Sequence, residues 1–249
     1  MSCKTPLWPV ASPEAGLAGK RWLSAAEDLA ALASRYPLAA LVGRAGMGKS
    51  QVLLHLCKDS CIYIDATELQ ERSLAQIAAA VAWRLAPRLR GRIAEAYRSY
   101  GYSGLLSLAQ ADPSWVLSEA LSQQGARLIV AIDEFIPSAE DPDFFRAAAA
   151  LHRLRNLAPR SAGFIFSFLP EVYEKLAEKI PPLGNILSSV VVQLPDVLDE
   201  DDVLEIANHY CPERAKEALA IWRARPDITV RELLMALSSP AKAVEVPIS

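Results

Sequence analysis

Five short apolar runs, each of strand length, punctuate the chain at Pro37–Val42, Cys61–Ile64, Arg127–Ile132, Gly163–Phe168 and Val190–Leu194. Runs of this kind between turn signals suit strands, and their near-continuous apolar character suits burial on both faces of a parallel sheet. The stretches between them repeat apolar residues at helical spacing instead. Ala18–Ser34 puts Trp22, Leu23, Ala26, Leu29, Ala30 and Ala33 on one face and ends before Tyr36 and Pro37, because the residue preceding a proline leaves the helical region. Helices are likewise expected over 51–56, from about 69 to 85 with Pro87 as the stop, over 144–157 after Asp141 and Pro142, and over 171–180, with a turn at Pro181–Gly184. Asp65 and Thr67 supply a turn and cap after the second strand. Helices that join successive strands are crossover connections, so the pattern predicts an α/β sandwich around a five-stranded parallel sheet.

After Pro195 the pattern changes. Asp199, Glu200, Asp201 and Asp202 place acids at the positive end of a helix over 203–210, and further helices are expected over 212–223 and 229–237, with no strand signal left. The chain is therefore expected to divide in two. Residues 1–195 form the α/β core, opened by an irregular arm at 1–19 that carries Pro6, Trp8, Pro9 and Pro13. Residues 196–249 form a small all-helical lid with a polar tail.

Composition changes this picture only locally. The 249 residues are 52% hydrophobic and 22% charged with a net charge of −3, which suits a globular protein and gives no global basic field for nucleic acid. One stretch departs from the average: Arg84, Arg88, Arg90, Arg92 and Arg98 accompany the single acid Glu95, with Tyr97, Tyr100 and Tyr102 close behind. Such a stretch is either a solvated helix face or an insertion that contacts a phosphate backbone and stacks bases. Cys3, Cys57, Cys61 and Cys211 are few and scattered, and Cys57 and Cys61 read as buried structural cysteines instead of metal ligands. With no leader and no apolar run of membrane-spanning length, a cytoplasmic protein is expected.

The candidate chemistry sits at two strand ends. Gly43-Arg44-Ala45-Gly46-Met47-Gly48-Lys49-Ser50 matches G-x-x-x-x-G-K-[ST] without a mismatch, between a strand and a helix, as a P-loop requires. Glycines allow the backbone close to phosphate, and successive N–H groups at a helix N-terminus hold negative charge, so residues 43 to 51, Gln51 included, are the expected nucleotide contacts. Lys49 would reach the β- and γ-phosphates of ATP, and Ser50 the Mg²⁺ that bridges them. The run Arg127–Ile132 ends in Asp133 and Glu134, a Walker B signature. A carboxylate at the C-terminal edge of an open α/β sheet lies where ligands bind, so Asp133 would hold Mg²⁺ with Ser50, and Glu134 would polarise the attacking water. Ser167, the polar exception in an apolar strand, would touch the γ-phosphate or orient that water, or else is a buried serine satisfied within the chain.

These motifs, a polar residue on the next strand and a trailing helical segment together resemble the AAA+ class of P-loop ATPases, over nearly the whole chain. Within that class the sequence is most similar to the archaeal origin-recognition initiators and the related STAND-type ATPases, on the evidence of Cys61–Asp65, Asp133–Phe135 and Leu194–Asp202. The resemblance implies a P-loop three-layer sandwich, slow Mg²⁺-dependent ATP hydrolysis, and a nucleotide-controlled angle between core and lid. It also implies that Arg231, in the first turn of the last helix, faces the γ-phosphate as a second sensor. Two departures qualify it: helix 171–180 offers only Lys175 and Lys179 where the family carries an arginine finger, and no winged-helix DNA-binding domain is expected after the lid. Two roles stay open, action on DNA through Arg84, Arg88, Arg90, Arg92 and Arg98, and a signalling or scaffold switch with protein partners or further copies of itself. A small-molecule kinase fits less well, because Glu134 supplies a water-activating acid.

Overall fold

The computed structural model describes residues 11–58, 61–157 and 162–238. Pro6, Trp8 and Pro9 of the arm, Cys3 and the tail after 238 lie outside the described residues. Five parallel strands, β1 (Leu38–Val42), β2 (Cys61–Asp65), β3 (Leu128–Asp133), β4 (Ala162–Phe168) and β5 (Val191–Gln193), lie in the order β2-β3-β4-β1-β5. Every residue of β1 and β4 is buried, as strands covered on both faces must be.

Alternation along the strands divides the apolar residues between two layers. Ala39, Leu41, Ala131 and Ile165 face α1 (Lys20–Arg35) and α2 (Lys49–Leu56), whereas Ala40, Val42, Ile64, Ile132, Phe164 and Phe166 face α3 (Leu74–Leu85), α4 (Gly91–Ala111), α5 (Pro113–Ser122), α6 (Phe144–Leu157), α7 (Pro170–Lys179) and α8 (Pro181–Leu187). The last three helices, α9 (Glu200–Tyr210), α10 (Ala215–Ala224) and α11 (Val230–Ser238), bury Val203, Ile206, Ala218, Leu233 and Leu237 in the same cluster as Trp22, Met47 and Val52. Their apolar faces thus continue the α1/α2 layer up to the P-loop.

Elements differ from the sequence pattern where local chemistry intervenes. The helix expected from 69 begins at Leu74, because the Ser73 hydroxyl accepts from the N–H of Gln76 and caps it, while Ala66–Glu68 form a short 3-10 turn capped by Asp65. The turn expected at Pro181–Gly184 is helix α8. Prolines in its first turn have φ already set for a helix, and Gly184 lets it cross α7 closely, since an added Cβ would lie 2.5 Å from Ala177 Cα.

Cys57 and Cys61 are partly exposed, not buried as expected, and are joined to each other in a disulfide that spans the end of α2 and the start of β2. Cys211 is also disulfide-bonded. Among the described residues no helix is long and apolar enough to cross a membrane.

Candidate nucleotide site

Three strand ends converge where β1, β3 and β4 finish side by side. β1 runs straight into the P-loop, and α2 starts at Lys49 behind Gly48, whose φ of 91° lies in the left-handed region. Gly46, at φ 78°, turns the loop in the same way. The loop is held from beneath by α1: the Trp22 indole N–H donates to the Met47 carbonyl at 2.6 Å, and Met47 itself is fully buried. Arg44 points away, its guanidinium donating to the Asp196 carbonyl at 2.8 Å, and Ala45 is exposed. Lys49 Nζ donates to the carbonyls of Gly43 (2.7 Å) and Arg44 (3.2 Å). Burial lowers its pKa while Asp133 and Glu134 oppose that shift, so the cation and both acids share one electrostatic neighbourhood.

The Gln51 side chain does not face into the loop. Its amide donates to the carbonyls of Ser12 (2.8 Å) and Gly16 (2.7 Å) and its oxygen accepts from Ser12 N–H (3.0 Å), which straps the arm to the P-loop helix. The arm is fixed from its other side as well, by Tyr210 Oη donating to the Gly16 carbonyl at 2.8 Å and by His209 against the Ala15 carbonyl at 3.0 Å.

Asp133 closes β3 with 3% of its surface exposed. Because Ile132 is paired with Phe166, Ser167 lies level with Asp133 on the neighbouring strand, and its hydroxyl donates to Asp133 Oδ1. That hydroxyl has one proton and spends it on the carboxylate, while its oxygen accepts the N–H of Glu134 at 3.1 Å. On the other side Tyr63 Oη donates to Asp133 Oδ2 at 3.1 Å. Burial, with Asp133 beside it, pushes the Tyr63 phenol upward and keeps it a donor.

Glu134 adopts φ 52°, the one left-handed residue other than glycine among the described residues. Strained backbone of this kind persists where surrounding structure over-determines it, commonly at functional sites. Burial raises the Glu134 pKa, Asp133 and Asp65 add to the rise, and Lys49 and Arg231 lower it. Arg231 therefore acts on both Lys49 and Glu134 from the first turn of α11, whose main-chain N–H donates to the Gly46 carbonyl at 3.0 Å.

The donor set fits magnesium. Ser50 and Asp133 offer hard oxygen ligands, and no group of three or more His, Cys, Asp or Glu side chains is placed to cage a metal among the described residues. An ion that keeps most of its waters and takes phosphate oxygens needs no more than such a pair.

Tyr63, Trp22 and Glu171, which also acts on Lys49, are site neighbours that the motifs do not contain. The alternation Cys61, Tyr63, Asp65 along β2 was the available signal, but only the strand order shows that this edge lies against β3. Lys175 and Lys179 are both occupied within the chain, Lys175 by the Ala139 carbonyl and the Phe144 ring and Lys179 by Glu178. In the basic stretch, Arg84 pairs with Glu68 at 3.0 Å and Arg92 lies over the Trp115 ring at 5.6 Å, whereas Arg88, Arg90 and Arg98 are exposed. Tyr97 and Tyr102 pack edge-on against Trp83, leaving Tyr100 as the exposed ring at 75%.

No family model and no curated protein matches the sequence. Among solved structures it is similar to Cdc6p of Pyrobaculum aerophilum (TM-score 0.51, 18% identity, 86% of this chain and 52% of that one). Others are the ADP form of the Aeropyrum pernix ORC2 protein (0.49, 17%, 89% and 68%) and a Walker-type ATPase of Pyrococcus abyssi (0.47, 17%, 86% and 61%). The chain spans about half the length of the first of these, at 52%. At 18% identity the likeness shows the fold: this chain shares the α/β architecture of the Pyrobaculum aerophilum Cdc6p structure.

Proposed function

We propose that the chain binds Mg·ATP between the P-loop and the end of β3, hydrolyses it slowly, and uses the nucleotide to set the position of residues 196–249 as a lid over residues 1–195. The observation that carries this reading is that elements far apart in sequence meet at one place: the Arg231 N–H of α11 donates to the P-loop carbonyl of Gly46 at 3.0 Å, and Ser167 at the end of β4 bonds both Asp133 and the Glu134 N–H at the end of β3. P-loop N–H groups and Lys49 would bind the phosphates, Ser50 and Asp133 would hold Mg²⁺ through oxygen and water, and Glu134 would take the proton of the attacking water. The ion would supply charge neutralisation across the phosphates. Arg231 would respond to the γ-phosphate, so loss of that group would remove a contact made only in the ATP state and favour a shift of the lid.

Isothermal titration of ATP into the full chain with magnesium tests the reading. Saturable heat in the wild type and none in Lys49→Ala is expected, and absence of binding in the wild type would overturn it. For a partner, the exposure of Arg88, Arg90 and Arg98, and of Tyr100 in the same stretch of sequence, supports a phosphate backbone. Salt-sensitive DNA retention in a gel shift, lost when the three arginines become alanine, is the expected result, and indifference to DNA would favour a protein-directed switch.

A further inference from the structure

This inference rests on the magnesium site just proposed and concerns a residue outside both motifs. The Asp133 carboxylate is almost fully buried, and each of its oxygens accepts a hydroxyl: Ser167 at Oδ1 and Tyr63 at Oδ2, the latter at 3.1 Å. A carboxylate turns easily about its last bond, because that torsion has broad, nearly twofold preferences. One hydroxyl leaves it a pivot, and a second on the opposite oxygen removes the rotation. The fold builds the second anchor from a register relationship. Tyr63 pairs with Ala131, whose small side chain lets the ring cross to Asp133, two residues further along β3. A carboxylate has about four lone-pair positions, so both hydroxyls can be accepted while each oxygen keeps a site for the water shell of an ion.

We propose that Tyr63 is a positioning residue for magnesium: its hydroxyl fixes the rotation of the Asp133 carboxylate and so sets how strongly the ion tightens nucleotide binding. Tyr63 touches neither nucleotide nor metal in this scheme. Its effect passes through Asp133 alone, which separates it from a residue that only fills the edge of the sheet.

Titration of a slowly hydrolysed ATP analogue into the full chain, with magnesium and again with EDTA, tests the assignment in wild type and Tyr63→Phe. Removing one net hydrogen bond to a charged group corresponds to roughly a tenfold change in equilibrium or more. The expected result is equal affinity of both proteins in EDTA and an enhancement by magnesium that is about tenfold smaller in Tyr63→Phe. An equal enhancement in both proteins would overturn the proposal, as would an equal loss of affinity with and without the ion. Should Tyr63→Phe melt too low to titrate at ordinary temperature, the same pair of titrations in the cold takes its place, with the same result expected and the same results overturning the proposal. Failure of the wild type to bind nucleotide in either condition would instead sink the proposed function, so the two failures are distinct.

Discussion

The main-chain N–H of Arg231 donates to the carbonyl oxygen of Gly46 at 3.0 Å, joining the first turn of α11 to the crest of the P-loop by backbone alone. The contact leaves no room for a side chain. A Cβ on Gly46 would stand 2.9 Å from Thr229 Oγ1 and 3.3 Å from Arg231 Cβ, on a backbone already at φ +78°.

Gly46→Ala is therefore expected to push α11 off the loop and strain the turn, costing about 1–3 kcal/mol. Thermal unfolding and nucleotide titration of the same protein would check it. A stability within about 0.5 kcal/mol of wild type would show that the loop accommodates the methyl group.

The P-loop and the end of β3 were legible because their residue types are dictated by local chemistry: left-handed glycines, a cation, and acids at a strand's C-terminal edge. Helix α6 was legible to the residue, since its apolar spacing is unbroken between Asp141 and the end of the helix. The contact of α11 with Gly46 was not, because it joins segments far apart in the chain and leaves only a glycine that the motif already explains. Tyr63 escaped for a related reason: its partner is set by strand order. Helix α4 was hidden by composition. Gly91, Gly101 and Gly104 lower helix propensity across α4, Gly101 breaks it at φ 59°, and Gly104 serves close packing, its Cβ position falling 2.5 Å from the Ala96 carbonyl oxygen.

Glu134→Gln should preserve the fold and the charge-independent contacts of the site while removing its base. Turnover is expected to fall by about 10²–10⁴-fold with ATP still bound, as read by single-turnover phosphate release. Unchanged turnover would reassign the base.

Gln51→Ala should free the arm. Its carboxamide satisfies two carbonyls and one N–H of residues 12–16, and leaving such groups unpaired costs roughly 1–3 kcal/mol. Hydrogen exchange at Ser12 is expected to accelerate, since its N–H loses the Gln51 acceptor. Unchanged protection there would mean that Tyr210 and His209 hold the arm by themselves.

Gly163→Ala tests the layer under the sheet. Its Cβ would fall 2.0 Å from the Ala33 carbonyl oxygen in α1, a main-chain atom that cannot rotate aside. Overpacking against backbone costs about 1–3 kcal/mol or more, so chemical denaturation should show a lower midpoint. Nucleotide affinity per folded molecule should then fall too, because α1 also carries the Trp22 indole that holds Met47.

Arg231→Ala separates the two ways in which α11 meets the site. The substitution keeps the main-chain N–H on Gly46 and deletes the guanidinium that acts on Lys49 and Glu134. If the guanidinium answers the γ-phosphate, the loss must appear with triphosphate and not with diphosphate. A charge-assisted hydrogen bond contributes about 1.5–3 kcal/mol, so affinity for a slowly hydrolysed ATP analogue should drop at least tenfold while ADP affinity changes less than twofold. An equal drop for both nucleotides would make Arg231 a general counter-charge and leave the nucleotide switch without its sensor. No drop for either would confine α11 to its backbone contact with the loop.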